Sequence, residues 1–211
     1  MKKQESKLKI GIDVDDVVLD FFPHFLKYCE NRKPPLKVIN GMKGHISNWF
    51  GLDKNSFRRV HKEFASSDHY DTMPIIPGFV EVFPALALNY NPVLITARSP
   101  TREKRTRECI RKQVIGFKLP IYFSREFHGG GQTKGELCRE LGVTVQVDDN
   151  PDYVDSCISE GVRVFLFDQP WNTNYVPTER VIRVLNWIDI IEKLKSLERK
   201  LNGKEKYNRR N

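Results

Sequence analysis

Short apolar runs alternate along the chain with longer stretches in which apolar positions recur every three or four residues. The first run reaches from Leu8 through Ile10 and Ile12, fits a buried strand of a parallel sheet, and stops abruptly at Asp13, Asp15 and Asp16. Val17 to Asn31 places Val18, Phe21, Phe22, Phe25, Leu26 and Cys29 at helical spacing, which predicts an amphipathic helix bent near Pro23. Further strands are expected at Pro92–Ile95, ending at Thr96, at Pro120–Phe123, at Val143–Val147, ending in Asp148 and Asp149, and at Val162–Phe167. Helices are expected between them: from Phe79 to Leu88, from the Ser99-Pro100 start toward Val114, around Lys134, Leu137, Cys138 and Leu141, and over Pro151–Glu160. A glycine run, Gly129 to Gly131, precedes Lys134, and a closing helix is predicted over Val184–Leu201. Five strands separated by helices define an α/β fold, an open doubly wound parallel sheet whose ligands are expected beyond the carboxyl ends of its strands.

One region breaks this alternation. From Arg32 to Met73 the chain carries Pro34, Pro35, two glycines flanking Met42, and aromatics and histidines among polar residues, with a helical stretch near Ser56 to Ala65 and an exit marked by Pro77 and Gly78. A small helical cap inserted after strand one is therefore expected over residues 21–77, with the α/β core at 7–20 and 78–191 and a basic helix end and tail at 192–211.

A chain of 211 residues that is 39% hydrophobic and 29% charged can bury one core and a small lobe. No apolar stretch reaches the roughly 20 residues that span a bilayer, and the basic N-terminus has no apolar segment of a secretory signal, so a cytoplasmic protein is expected. Cys29, Cys109, Cys138 and Cys157 lie far apart and read as reduced thiols. The formal charge of +8 concentrates in two places. Eight Lys and Arg face three Glu between Glu192 and Asn211, and Arg102, Lys104, Arg105, Arg107, Arg111 and Lys112 outnumber Glu103 and Glu108. Either cluster is a solvated face or a surface that attracts nucleic acid by counterion release.

The acids change the picture most. Carboxylates gathered where a strand leaves the core repel one another unless a cation joins them, so an oxygen-seeking metal such as Mg²⁺ is the simplest reason to keep them; solvated turn acids are the ordinary alternative. Asp13 and Asp15 follow strand one, Thr96 ends strand two, Lys134 opens the helix before strand four, and Asp148 and Asp149 follow strand four. In a doubly wound sheet these ends share one edge, and the ordered set favours a common site over separate surface residues.

The ordered motifs Asp13-Val14-Asp15-Asp16-Val17-Val18, Ile95-Thr96-Ala97-Arg98, Lys134 and Val147-Asp148-Asp149-Asn150-Pro151 resemble those of the haloacid dehalogenase superfamily of phosphatases. Phe21, the small lobe, and the ending Leu166-Phe167-Asp168-Gln169-Pro170-Trp171-Asn172 with Arg180 and Trp187 resemble its 5'(3')-deoxyribonucleotidase group. The resemblance implies a metal site of Asp13, the Asp15 carbonyl and Asp149, with Asp148 behind it orienting Lys134 or a water, although Asp148 and Asp149 could exchange roles. Phe21, Trp49 and Phe50 would flank a base or sugar, with ordinary lobe packing as the alternative. Asp16, where a glycine is common in that group, and Ala97, where a serine is common, depart from its pattern: Asp16 adds negative charge near the metal unless it caps the following helix, and Ala97 offers phosphate only its backbone N–H, with Arg98 as a candidate aid.

The expected chemistry is phosphomonoester hydrolysis. Asp13 attacks phosphorus, Asp15 protonates the leaving alkoxide and then activates water, and Thr96, Ala97 and Lys134 bind the phosphoryl oxygens with Mg²⁺ as cofactor. The expected partner is a small phosphomonoester, a nucleotide above all. Two alternatives stay open: a nucleic acid 3'-phosphatase that uses the basic helix and tail, and a phosphoacceptor or binding protein without turnover. The sequence leaves the oligomeric state open.

Overall fold

The structure, a computed structural model, describes residues 8–42, 46–124 and 131–208. Six parallel strands form one sheet: β1 (Ile10–Ile12), β2 (Val93–Thr96), β3 (Ile121–Phe123), β4 (Val145–Asp148), β5 (Arg163–Phe167) and β6 (Val181–Val184), in the order β3-β2-β1-β4-β5-β6. The chain steps from β1 outward to β2 and β3, then returns across β1 to β4. The crevice therefore opens at the carboxyl ends of β1, β2 and β4, where strand order reverses. Residues of β1 are buried throughout, as a central strand covered on both faces requires.

The helices are α1 (Phe21–Asn31), α2 (Ile46–Trp49), α3 (Lys54–Ser66), α4 (Phe79–Asn89), α5 (Glu103–Arg111), α6 (Lys134–Glu140), α7 (Pro151–Ser159) and α8 (Trp187–Asn208). Between β1 and β2 the chain forms α1, α2, α3 and a 3-10 turn at Asp68–Asp71 before α4 returns it to the sheet. This lobe is held by aromatic packing: Phe25 meets Phe57, Phe64 and Phe50 at ring separations of 5.9, 5.2 and 5.9 Å. Each such ring buried contributes roughly 2–3 kcal/mol. Lobe and sheet share one apolar core, and among the described residues no helix is long and apolar enough to cross a membrane.

Four sequence expectations need correction. The first helix starts at Phe21, not Val17, because Asp16 takes a left-handed conformation (φ 55°) and the chain turns there. Asp16 then accepts the Phe22 N–H at 2.8 Å, capping α1, and Pro23 falls in the first helical turn, where its missing N–H costs nothing. A small polar side chain tolerates that backbone, as a glycine would. The strand β6 is an addition, and the last helix begins at Trp187 rather than Val184. Val181 and Val184 are buried while Ile182 and Arg183 are half-exposed, too brief a pattern to register as a strand. Ser99 stands at the N-cap ahead of the 3-10 turn Pro100–Arg102, but makes no capping bond and its hydroxyl instead meets Thr101 Oγ1 at 2.9 Å. Of the glycine run, Gly129 and Gly130 lie outside the described residues, as does the tail beyond Asn208.

Trp187 pins α8 to the acidic turn. It is fully buried, donates Nε1–H to the Val17 carbonyl at 2.9 Å, and meets Phe79 at 4.8 Å.

Candidate active site

Asp13 stands one residue past β1, where its N–H still donates to the Val147 carbonyl at 2.9 Å. That ladder bond sets Asp13 beside the end of β4, where Asp148 is the last strand residue and Asp149 the first beyond it. Ligand oxygens of Asp13, Asp148 and Asp149 lie within 4.8 Å of one another, and all three residues are buried.

Lys134 reaches this cluster from the first turn of α6. Its Nζ forms ion pairs with Asp13 Oδ1 at 2.9 Å and Asp148 Oδ2 at 2.7 Å, and lies 4.1 Å from the centre of the Tyr153 ring. The helix start is fixed by a capping box in which the Thr133 hydroxyl accepts the Glu136 N–H and the Glu136 carboxylate accepts the Thr133 N–H. Gly135 lets α6 close on α7, since a Cβ there would collide with the Ser156 carbonyl. Thr96 ends β2 fully buried, and its hydroxyl accepts the Arg98 N–H at 3.2 Å; Ala97 lies on the cavity wall above it.

The structure gives two residues roles other than those the sequence suggests: Arg98, a candidate aid to phosphate binding, clamps Asp15 instead, and Trp171 bonds to Asp149. Arg98 is buried and grips Asp15 with Nε at 3.0 and 3.1 Å from the two carboxylate oxygens and Nη2 at 2.5 Å from Oδ1. Its Nη1 donates to Thr106 at 2.9 Å. Burial opposes the guanidinium charge, but Asp15 and Tyr70 outweigh it and raise its pKa further. Trp171 donates Nε1–H to Asp149 Oδ2 at 2.8 Å. Asn172 fixes the same loop by donating to the carbonyls of Asp149 (2.8 Å) and Phe167 (2.7 Å). A tryptophan in a loop carries no sequence signal for such a bond; only the strand order puts the loop after β5 beside the end of β4.

These acids face a cavity of about 400 Å³. Asp13, Asp15, Asp16 and Asp149 line one part, and Phe21, Phe22, Trp49, Phe57, Tyr70 and Trp171 supply an aromatic wall. The structure thus brings Phe21 and Trp49 to the cavity. Phe50 is not on its wall: it is buried in the lobe between Phe25 and Phe57, at 5.9 and 6.3 Å, so its expected place beside a substrate gives way to packing.

The donor set fits a hard divalent cation. The carboxylates of Asp13, Asp148 and Asp149 are buried around the Lys134 ammonium group, and the candidate ligands are all oxygens, the chemistry that suits Mg²⁺ rather than a thiol- or imidazole-seeking metal. Burial, opposed by Lys134 and reinforced by Asp148, raises the Asp13 pKa to about 7. Burial, Asp16 and Asp148 hold Asp149 well above the ordinary carboxylate range. A carboxyl raised in this way gives stability that is present below its unfolded value of about 4 and is lost as pH climbs through the folded value. With chelator, the melting temperature is expected to fall between pH 5 and pH 8; millimolar Mg²⁺ should cancel most of that fall. A melting curve indifferent to Mg²⁺ at pH 8 would exclude a metal at these acids.

The six-stranded parallel sheet with its flanking helices matches the fold of solved haloacid dehalogenase-like hydrolases. Solved structures with this fold include a haloacid dehalogenase-like hydrolase from Streptococcus pneumoniae (TM-score 0.63, 11% identity, 89% of this chain and 98% of that one). A Lactobacillus plantarum protein provisionally assigned as a phosphoglycolate phosphatase is similar over 89% of this chain and 99% of that one (TM-score 0.61, 12% identity). A Deinococcus radiodurans hydrolase of that family, solved with bound phosphate and sodium, matches over 85% of this chain and 93% of that one (TM-score 0.57, 13% identity). No family model and no curated protein matches the chain.

Proposed function

We propose that this chain is a Mg²⁺-dependent phosphomonoesterase that removes phosphate from small esters, (deoxy)nucleoside monophosphates above all, through an aspartyl-phosphate. The observation that carries the reading is the placement of Asp13 at the strand end, tied to Lys134 and flanked by Asp149, on a cavity with an aromatic wall. Asp13, Asp149 and the Asp15 carbonyl would hold the metal, which when bound neutralises charge on the phosphoryl oxygens. Asp13 forms a bond to phosphorus as the ester oxygen leaves, and Asp15 gives that oxygen its proton. Asp15, ionised and oriented by Arg98, then takes a proton from the water that displaces Asp13 and releases inorganic phosphate. Thr96, the Ala97 N–H and Lys134 contribute to binding the phosphoryl group, and Lys134 also holds Asp13 in line. Asp148, on the far side of Lys134, positions that ammonium group.

The aromatic wall favours a planar base over a bare sugar phosphate. It is also the reason for preferring a small ligand to a nucleic acid end, since the basic patch on α5 is partly consumed internally: Arg105 pairs with Asp71 and Arg107 with Glu103. The test is phosphate release from nucleoside monophosphates, sugar phosphates and a 3'-phosphorylated oligonucleotide, with Mg²⁺ and with chelator. Metal-dependent release from mononucleotides is expected. Release from the oligonucleotide alone, or from nothing, would overturn the reading.

A further inference from the structure

The cavity contains a cation that the reaction described above does not use. Arg98 and Arg102 are the arginines on the described cavity wall, and Arg98 is committed to Asp15 and Thr106. Arg102 is half-buried at the end of the 3-10 turn Pro100–Arg102, and among the described residues no carboxylate pairs with its guanidinium. That group stacks on the Tyr70 ring, 5.6 Å from its centre. Arg98 and Arg105 also lie against this ring, at 4.7 and 5.1 Å, and among the described residues each of these two has an acid partner, Asp15 and Asp71, whereas Arg102 has none. The ring contact holds the guanidinium without using its donors, because a cation lies against a π face through its charge while its N–H groups stay in plane.

Depth separates this group from the reacting phosphorus. Asp13 and Asp149 are 4% and 6% exposed and mark the floor of the cavity, whereas Arg102 and Ser99 are part-exposed on its wall. Tyr70 itself is buried and belongs to the lobe, so the guanidinium is held where lobe and sheet meet. Asp152 is an exposed acid on the same wall and repels anions, so among the described charged groups of the wall Arg102 is the one that offers a second anion an unpaired partner.

We propose that Arg102 binds a second oxyanion of the substrate, one carried away from the scissile phosphate, and so selects phosphomonoesters that are charged at both ends. This rests on the phosphomonoesterase reading of the same site. The ligand chemistry is an oxyanion that accepts two N–H donors from a planar fork, as a phosphate or carboxylate does. A nucleoside 3',5'-bisphosphate is a suitable probe: its sugar carries a charged group at either end, and its base is left to meet the aromatic wall.

The experiment compares kcat/KM for a nucleoside 5'-monophosphate and the matching 3',5'-bisphosphate in the wild-type protein, Arg102→Gln and Arg102→Lys. The wild-type protein should prefer the bisphosphate by about tenfold, expressed in KM, the size of one charge-assisted contact. Arg102→Gln should remove that preference, and Arg102→Lys, which keeps the charge without the fork, should restore part of it. A wild-type preference below twofold, or one that survives in Arg102→Gln, overturns the proposal while leaving the phosphomonoesterase reading intact if the monophosphate is still hydrolysed. Binding of both ligands to Asp13→Asn, followed by calorimetry, separates the cases. If neither ligand is hydrolysed by the wild-type protein nor bound by Asp13→Asn, both readings fall together. Should Arg102→Gln fail to fold, the wild-type ratio and the Arg102→Lys ratio still decide.

Discussion

Asp13→Asn should lose turnover by a factor on the order of 10⁴ or more, the scale seen when a covalent nucleophile is removed. The substitution keeps the shape of the side chain and its place beside the Val147 carbonyl, but an amide oxygen does not attack phosphorus. Lys134 keeps its ion pair with Asp148 at 2.7 Å, so the variant should fold. Removing one buried carboxylate from a cluster whose burial already raises its pKa values should leave the melting temperature at pH 8 no lower than that of the wild-type protein. Rapid acid quench with labelled substrate should trap a covalent phosphoprotein in the wild-type protein and none in Asp13→Asn. Substantial phosphatase activity in the variant would remove Asp13 from the role of nucleophile.

Lys134→Met should be the most damaging single change to the fold at this edge of the sheet. The new side chain has nearly the same length and no charge, which leaves Asp13 and Asp148 buried with their cation gone. Breaking a buried ion pair from one side costs about 3–5 kcal/mol, and here one ammonium group serves two carboxylates. Denaturant unfolding with chelator should show a loss of that size at pH 8. Mg²⁺ should recover part of it, because a divalent ion supplies charge to the same oxygens. Turnover should stay at least about a hundredfold down even with Mg²⁺, since the group that aligns the nucleophile is missing. A loss below about 1 kcal/mol would mean that the acids are neutral in the folded protein and that Lys134 does not compensate them.

Much of this site is legible before the structure is known, for a definite reason. Ile10 and Ile12 make a run that fits a buried strand, and the acids that follow it stand where a strand leaves the core, a place that favours a metal over isolated charge. Val145 and Val147 before Asp148 repeat the pattern. Strand ends in a parallel sheet share an edge, so topology supplies the third dimension without any knowledge of side chains. The rest depends on pairings across the fold. Arg98 reaches Asp15 over 83 residues, and Trp171 reaches Asp149 from a loop whose position follows from the order of β4 and β5. Neither contact has a periodicity. Asp16 is ambiguous for another reason: beside its acidic neighbours it is either added charge near a metal or a helix cap, and only its left-handed backbone and bond to Phe22 decide for the cap. The short strand β6 escapes notice because Arg183 sits inside it, paired with Asp168 and Asn172.

The aromatic wall has a practical consequence. Of the chain's three tryptophans, Trp187 is sealed in the core, while Trp49 and Trp171 lie on the cavity wall with ring centres 5.9 Å apart. One of this pair comes from the lobe and the other from the loop that holds Asp149. Any shift of the lobe relative to the sheet changes their separation, and any planar ligand entering the cavity changes their surroundings. The protein therefore contains its own optical gauge of occupancy, readable in ultraviolet emission and near-ultraviolet dichroism without an attached dye, with Trp187 as a constant background.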